Sequence, residues 1–257
     1  MNTPEDKFIF NSFPIDNISV EEATAKVFNM MEKKEKGFVV TPNAAHFLYL
    51  RDDNDFRDAY RNAALVLPDG YSLVLASKLL GTPLKGRCTG VDLFSSICNG
   101  FIKGKFRIFL LGGENGSESR AKHKLLKSNR NLVIGTYSPP RGFENDIEEK
   151  KKIVKTVNFF EADILFVFLG SPKSEKFINN NFNSLKITTA LSLGASLDYY
   201  TGQKKRAPGW IRNVGFEWFF RMVKEPSRLW KRYFIGNSYF LFLTVKQFLR
   251  KNSSKVQ

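Results

Sequence analysis

The sequence predicts an α/β fold: a Rossmann-like, mostly parallel sheet with helices on both faces, plus a C-terminal helical appendage. Three observations lead there. The runs FRIFLL at 106–111 and ILFVFL at 164–169 are near-continuous apolar stretches, as expected for strands buried on both faces. Stretches of helical length and pattern separate such runs, which is the signature of parallel strand–helix–strand units. Past residue 200 the chain turns basic and aromatic, and the alternation stops. A chain of 257 residues, 42% of them hydrophobic, is large enough for one sizeable core with an appendage.

The elements follow in order. Ser19 to Lys33 reads as a helix, with Ser19 at the N-cap and Glu21 and Glu22 in the first turn. Gly37–Thr41 is a short buried strand running into a Pro42-Asn43 turn, and Ala44 to Asn62 is one charged amphipathic helix. Ala64–Leu67 is the next strand, ending in Pro68-Asp69-Gly70. Tyr71–Leu80 and Val91–Ile102 are helices, and strand 106–111 opens into Gly112-Gly113-Glu114-Asn115-Gly116. A polar helix over Ser117–Lys127, a strand over Leu132–Thr136 and a helix over Asp146–Phe160 come next. Strand 164–169 ends at Gly170-Ser171-Pro172, a helix begins at Ser174, and a last strand, Thr188–Leu193, ends in Gly194.

These elements divide the chain into a Rossmann-like domain over 1–200 and an appendage over 201–257. The formal charge is +15. Residues 201–257 hold 13 Lys and Arg against Glu217 and Glu225, so +11 of that excess lies there and +4 in the first 200 residues. A segment this basic points to an anionic surface: nucleic acid, phospholipid headgroups or a pyrophosphate ligand. Trp210, Trp218, Trp230, Tyr233, Tyr239 and several phenylalanines are interleaved with the cations, a composition suited to a membrane interface. No zinc-finger or RNA-recognition signature supports nucleic acid. The least polar stretch, Tyr233 to Val245, falls short of the roughly 20 residues that a span requires and contains Gly236, Asn237 and Ser238. The expectation is a segment that lies on a membrane surface without crossing it. The polar start of the chain lacks the layout of a secretory signal, and Cys88 and Cys98 have no neighbours at zinc-ligand spacing. A cytoplasmic protein peripheral on the inner face of the cell membrane is expected, with free thiols and no structural zinc.

Ligands of parallel sheets bind beyond the carboxyl ends of the strands. Four strand ends here carry polar or glycine-rich segments: Thr41-Pro42-Asn43, Pro68-Asp69-Gly70, Gly112-Gly113 and Gly170-Ser171-Pro172. The glycine loop is either an ordinary turn or a place where backbone N–H groups approach a diphosphate at a helix N-terminus. Its spacing matches neither the dinucleotide fingerprint nor the P-loop. Asp69 is either a turn residue or a general base presented at the sheet's edge. His46 and His123, both in polar helical stretches, read as surface or packing residues.

Together these segments resemble the WecG/TagA/CpsF family of glycosyltransferases, from about Thr41 to Tyr233. The matching blocks continue with Arg87, Thr89-Gly90-Val91-Asp92-Leu93, Leu111-Gly112-Gly113, Gly170-Ser171-Pro172-Lys173 and Glu175-Lys176. They end with Gly194-Ala195, Asp198, Gly202, Arg206-Ala207-Pro208, Glu217-Trp218, Arg221, Glu225-Pro226 and Arg228. The resemblance implies an inverting, metal-independent enzyme with no cofactor. It would move N-acetylmannosamine or its uronic acid from a UDP-sugar donor to a sugar on a polyprenyl-diphosphate-linked acceptor. By resemblance Asp69 is the base, and Thr41 and Asn43 hold the donor sugar. Gly112, Gly113 and Gly170 line the nucleotide pocket, and Asp198 contacts the uridine or shapes the site. Pro172, Ser174, Glu175, Asp92 and Arg206 complete the substrate-binding set. The reading places no DxD-type carboxylate pair beside the diphosphate to hold a divalent ion, so diphosphate charge would fall to backbone N–H groups and to Arg87, Arg221, Arg228 and Arg232. Arg221 and Arg228 share a face if one helix runs through them, with a kink expected at Pro226.

Two positions depart from the family pattern. Ser174 stands where relatives often have Gln, and Ser72 where a second Gly is usual. Both bear on donor identity more than on reaction type. Glucosyl or glucuronosyl transfer stays open, as does a non-catalytic nucleotide- or nucleic-acid-binding module, although no nucleic acid partner is expected. The sequence leaves a homo-oligomer open.

Overall fold

A computed structural model describes residues 7–100, 106–114, 116–213 and 215–253, with the backbone alone at 213, 228, 231 and 232. Six strands form a parallel sheet: β3 (Gly37–Val40), β4 (Leu65–Val66), β5 (Arg107–Gly112), β6 (Val133–Tyr137), β7 (Ile164–Phe168) and β8 (Thr189–Ser192), in the order β4-β3-β8-β7-β5-β6. The chain steps outward from β3 to β4, crosses to β5 and β6, and returns through β7 to place β8 beside β3. Alternate side chains fill two cores, one on each face. Phe109, Leu111, Leu165 and Val167 point one way, while Ile108, Leu110, Ile164 and Phe166 point the other.

A β-hairpin precedes the sheet, β1 (Lys7–Phe10) paired antiparallel with β2 (Phe13–Asp16). The sequence reading did not include it. Its last residue, Asp16, is buried and accepts a hydrogen bond from the Val66 N–H at 2.7 Å, covering the two-residue edge strand β4.

Helix α1 (Val20–Glu32) opens with the expected N-cap: Ser19 accepts from the Glu22 N–H while the Glu22 carboxylate accepts from the Ser19 N–H. The long helix expected over 44–62 is two helices, α2 (His46–Asp52) and α3 (Asn54–Asn62). Asp53 separates them because it adopts extended backbone (φ −122°, ψ 109°) and its carboxylate accepts from the Phe56 N–H at 3.1 Å, starting α3 afresh. Next in order are α4 (Tyr71–Leu79), α5 (Gly90–Gly100), α6 (Ser117–Ser128), α7 (Ile147–Phe160), α8 (Lys173–Asn181) and α9 (Ser196–Tyr200). The expected helix end at 101–102 lies outside the described residues.

The C-terminal segment forms α10 (Gly209–Asn213), α11 (Glu217–Lys224) and α12 (Pro226–Ser253). Pro226 does not kink a continuous helix. It is the first residue of α12, where its missing N–H costs nothing, so Arg221 and Arg228 sit on different helices. Helix α12 packs into the same core as the sheet. Phe240 stacks on Phe10 with ring centroids 4.7 Å apart and meets Phe47 at 5.4 Å. Gly236 is where α12 crosses closest, since a Cβ there would lie 2.9 Å from the Ala45 Cα. Gln247 bonds both the Ile9 carbonyl and the Asn11 N–H of the hairpin. Among the described residues no helix is long and apolar enough to cross a membrane.

Candidate active site

The carboxyl ends of β3, β4, β7 and β8 surround a central cavity of about 80 Å³. Thr41 and Asn43 after β3, Asp69 after β4, Gly170 and Ser171 after β7 and Gly194 and Ala195 after β8 line it, and Arg221 and Tyr233 of the C-terminal helices close it. A second cavity of about 410 Å³ lies over β5 and β6, lined by Gly112, Gly113, Pro140, Phe143 and Asp198, and it shares Gly170 and Ala195 with the first. A third, of about 250 Å³, shares Asn43, Asp69, Arg221 and Tyr233 with the central one and continues along Tyr71, Leu75, Phe216 and Trp218. Asp69 therefore stands where the central cavity meets the third.

Asp69 reaches that junction because its N–H donates to the Pro42 carbonyl at 2.9 Å, tying the β4 end to the β3 end. It keeps some solvent contact as a residue, but protein atoms crowd its carboxyl. That desolvation lifts its pKa from the ordinary 3.8 to about 6, with Glu217 adding to the rise and Arg221, Arg87 and Arg206 opposing it. Glu217, only 7% exposed, gathers three guanidinium groups. Its carboxylate is 2.7 Å from Arg221, 3.3 Å from Arg87 and 4.0 Å from Arg206. Burial works against its ionised form, but the three arginines outweigh it and hold its pKa below the usual range. Burial likewise disfavours the Arg221 cation, yet Tyr199, Glu217, Tyr233 and Asp69 leave its pKa raised. The Tyr199 ring lies 4.5 Å from the Arg221 guanidinium.

Asn43 is fixed on both sides. Its Oδ1 accepts from the Ala45 N–H at 3.1 Å and its amide meets His46 Nε2 at 3.3 Å. If that amide donates, the remaining His46 N–H donates to the Tyr60 hydroxyl at 2.7 Å, a tautomer assigned from the network. Thr41 donates to the Ser192 carbonyl at 3.1 Å, bridging β3 and β8. Ser171 Oγ is buried on the cavity wall with no hydrogen-bond partner among the described residues, so it is open to a ligand.

The glycine loop is shaped by backbone that only glycine takes readily. Gly112 and Gly113 have φ of +92° and +100°, and a Cβ on Gly112 would lie 2.8 Å from the Phe168 carbonyl oxygen. Two of its N–H groups are not free for a phosphate, however. Gly113 N–H donates to Phe168 O at 3.1 Å and Glu114 N–H to Asp198 Oδ1 at 3.0 Å. The loop lines its cavity by close approach. Asp198, 2% exposed, also accepts from Ser117 Oγ at 2.8 Å, so its role in the structure is to hold the loop and the start of α6.

Of the residues expected at the site, Thr41, Asn43, Asp69, Gly170, Glu175 and Arg221 meet at the central cavity, Gly112, Gly113 and Asp198 at the second, and Arg87 at the third. Asp92, Arg206, Ser174 and Pro172 are on none of these three walls. Asp92 is held by Arg206 in a two-pronged ion pair (2.7 and 2.9 Å) and by Thr89 at 2.6 Å. Ser174 Oγ is turned to the backbone, accepting from the Leu169 N–H at 3.1 Å, and Pro172 faces a separate cavity beside α7 and α8. The side chains of Arg228 and Arg232 lie outside the described residues. His46, Ser171, Tyr199, Lys204, Glu225 and Tyr233 line the central cavity without having been singled out for it. His46 is a packed histidine, as one of its two expected readings had it, and its neighbour Asn43 was the only signal of its place.

A parallel sheet whose strand ends present a carboxylate with a raised pKa, partly buried arginines and a glycine-lined cavity has the chemistry to receive an anionic ligand. Comparison with known proteins gives the family: the chain belongs to the Glycosyl transferase WecG/TagA/CpsF family, whose sequence profile matches residues 9–254. It is 32% identical over 180 residues (70% of this chain, 68% of the relative) to an N-acetylglucosaminyldiphosphoundecaprenol N-acetyl-beta-D-mannosaminyltransferase of Bacillus subtilis (strain 168). Proteins of the same name from Bacillus spizizenii (27% over 202 residues, 79% of this chain and 76% of the relative) and Staphylococcus aureus strain MW2 (28% over 207 residues, 80% and 78%) are also similar. The protein is thus a glycosyltransferase. Among the described residues no three His, Cys, Asp or Glu side chains are grouped closely enough to hold a metal ion.

Proposed function

We propose that the protein transfers N-acetylmannosamine from its UDP-sugar to a saccharide carried on a polyprenyl diphosphate, with inversion at the anomeric carbon and Asp69 as the base. The observation that carries the reading is Asp69 at the junction of two cavities, its basicity raised by burial against the opposing pull of the guanidinium groups beside it. The nucleotide occupies the glycine-lined cavity, and its sugar lies against Thr41 and Asn43. The acceptor enters through the third cavity. Its hydroxyl attacks the anomeric carbon, Asp69 accepts the hydroxyl proton, and the bond to the diphosphate breaks with its electron pair leaving on UDP. A pKa of about 6 leaves Asp69 ionised at neutral pH yet more basic than an ordinary aspartate. Arg221 meets diphosphate charge in the central cavity, and Glu217 ties it to Arg87 on the acceptor side.

The third cavity ends beside exposed apolar side chains, Leu75 and Leu79 of α4 and Phe216, Trp218 and Phe219 of the C-terminal segment. Trp210, Trp230, Phe234 and Phe242 of the same basic C-terminal segment are exposed as well. This pattern supports peripheral docking on the inner leaflet of the cell membrane, with the acceptor's lipid emerging where the site opens. Residues 201–257 then serve both membrane association and completion of the active site.

The test is product formation. The protein is incubated with UDP-N-acetylmannosamine, its uronic acid, UDP-glucose and UDP-glucuronic acid, each with a short-chain prenyl-diphosphate-linked N-acetylglucosamine. Products are weighed and their anomeric configuration read by NMR. A β-linked product from UDP-N-acetylmannosamine is expected. Preference for another donor would correct the sugar, and an α-linked product would overturn the single-displacement mechanism.

A further inference from the structure

We propose that Lys204 is a catalytic residue of this transfer, its ammonium group meeting the diphosphate and stabilising UDP as it departs. The proposal rests on the reading above, since it takes a nucleoside diphosphate as the leaving group. Among the described residues, the nucleotide cavity and the central cavity share Gly170 and Ala195 in their linings. A donor with its nucleoside in one and its sugar at Asp69 in the other must carry its diphosphate past that pair. Among the described residues, two basic side chains other than His46 line the central cavity: Arg221 and Lys204.

Lys204 follows α9, the helix that begins directly after Ala195, and its N–H donates to the Asp198 carbonyl at 3.0 Å. Its side chain is only 17% exposed, and Nζ lies 3.1 Å from Glu114, 3.5 Å from Glu225 and 3.6 Å from Asp198. Yet Nζ donates to none of them in hydrogen-bond geometry. A buried ammonium with unspent donors is poised for an acceptor that fits better. Glu114 and Asp198 stand on the nucleotide side, whereas Glu225 lines the central cavity. A phosphate oxygen entering that cavity therefore takes the place that Glu225 holds beside Nζ. In the transfer the acceptor oxygen–carbon bond forms, the carbon–oxygen bond to the β-phosphate breaks, and UDP gains one negative charge. Lys204 forms and breaks no bond in this step and acts by electrostatic attraction alone.

Lys204 as a mere tether between the glycine loop and the C-terminal helices predicts different behaviour, and comparing UDP with uridine separates the two. Affinities of full-length protein for both ligands are measured calorimetrically for wild type, Lys204→Gln, Lys204→Arg and Glu225→Gln. Lys204→Gln should lose tenfold or more in UDP affinity while uridine affinity stays within twofold, and Lys204→Arg should keep most of the UDP affinity. Glu225→Gln, which removes the competing carboxylate, should bind UDP at least threefold more tightly with uridine unchanged. That variant decides the matter even if Lys204→Gln does not fold. Parallel loss of both ligands in Lys204→Gln, or unchanged UDP affinity in either neutral variant, would overturn the assignment and leave the UDP-sugar reading standing. A wild-type protein that binds UDP no better than uridine would overturn both.

Discussion

Replacing Asp69 by Asn should make the protein more stable and less active, and the size of the gain follows from the site. The carboxyl has a pKa of about 6 when folded against 3.8 in the ordinary state, so the folded chain holds its proton more tightly than the unfolded chain does. Below pH 3.8 the group is neutral in both states and costs nothing. As pH rises through 3.8 to 6, unfolding releases the proton, and the folded state loses stability with each step. Above the folded pKa the full penalty applies, about 3 kcal/mol for a shift of roughly two units at 1.36 kcal/mol each. Asn has nearly the same shape with no charge to desolvate. For a chain of this size the gain corresponds to an increase in Tm of roughly 6–12 °C as an upper bound. Thermal unfolding of both proteins from pH 4 to 8 is the assay. The variant should unfold at about the wild-type temperature at pH 4 and progressively above it toward pH 8. An Asn variant that melts at or below wild type at pH 8, or a difference independent of pH, would refute a desolvated carboxylate at this position.

Three further outcomes are expected. Glu217→Ala leaves Arg87, Arg206 and Arg221 facing one another without the carboxylate that gathers them, and should cost about 3–5 kcal/mol in denaturant unfolding. Gly113→Ala meets both a φ of +100° and a Leu197 methyl 2.9 Å from the new Cβ, so UDP binding measured by thermal shift should weaken at least tenfold. Replacing the exposed Trp210, Trp230 and Phe234 together by Ser should sharply reduce co-sedimentation with vesicles containing anionic lipid while leaving Tm within a few degrees, because these side chains are half or more exposed.

Much of this architecture was legible because the sheet is buried. Strands β5 and β7 have no solvent face, so their composition alone marked them, and glycine ends the first (Gly112) and follows soon after the second (Gly170). Asp69 was legible because a Pro-Asp-Gly turn ends a short apolar strand. The hairpin β1–β2 was missed because its strands are four residues long and one contains Pro14, and their burial depends on α12, more than 200 residues away. The division between α2 and α3 turned on one side chain, since Asp53 is compatible with a helix interior until its carboxylate caps the next turn. Sequence blocks placed Asp92 and Arg206 in the substrate set, whereas the fold pairs them with each other. Lys204 was one basic residue among 13 in its segment, and only tertiary structure distinguishes a cation facing the cavity from a solvated one. Ser174 shows the same limit, since its hydroxyl is bound to a backbone N–H and not to a cavity.

The most direct test of the account is the pH dependence of kcat/KM for transfer from UDP-N-acetylmannosamine, measured for wild type and Asp69→Asn. The account predicts a wild-type profile that rises through a single ionisation near pH 6 to a plateau, and a variant reduced at least about 100-fold with no such rise. A wild-type profile flat from pH 5 to 8, or an Asn variant turning over at a comparable rate, would show that the proton leaves the acceptor by another route.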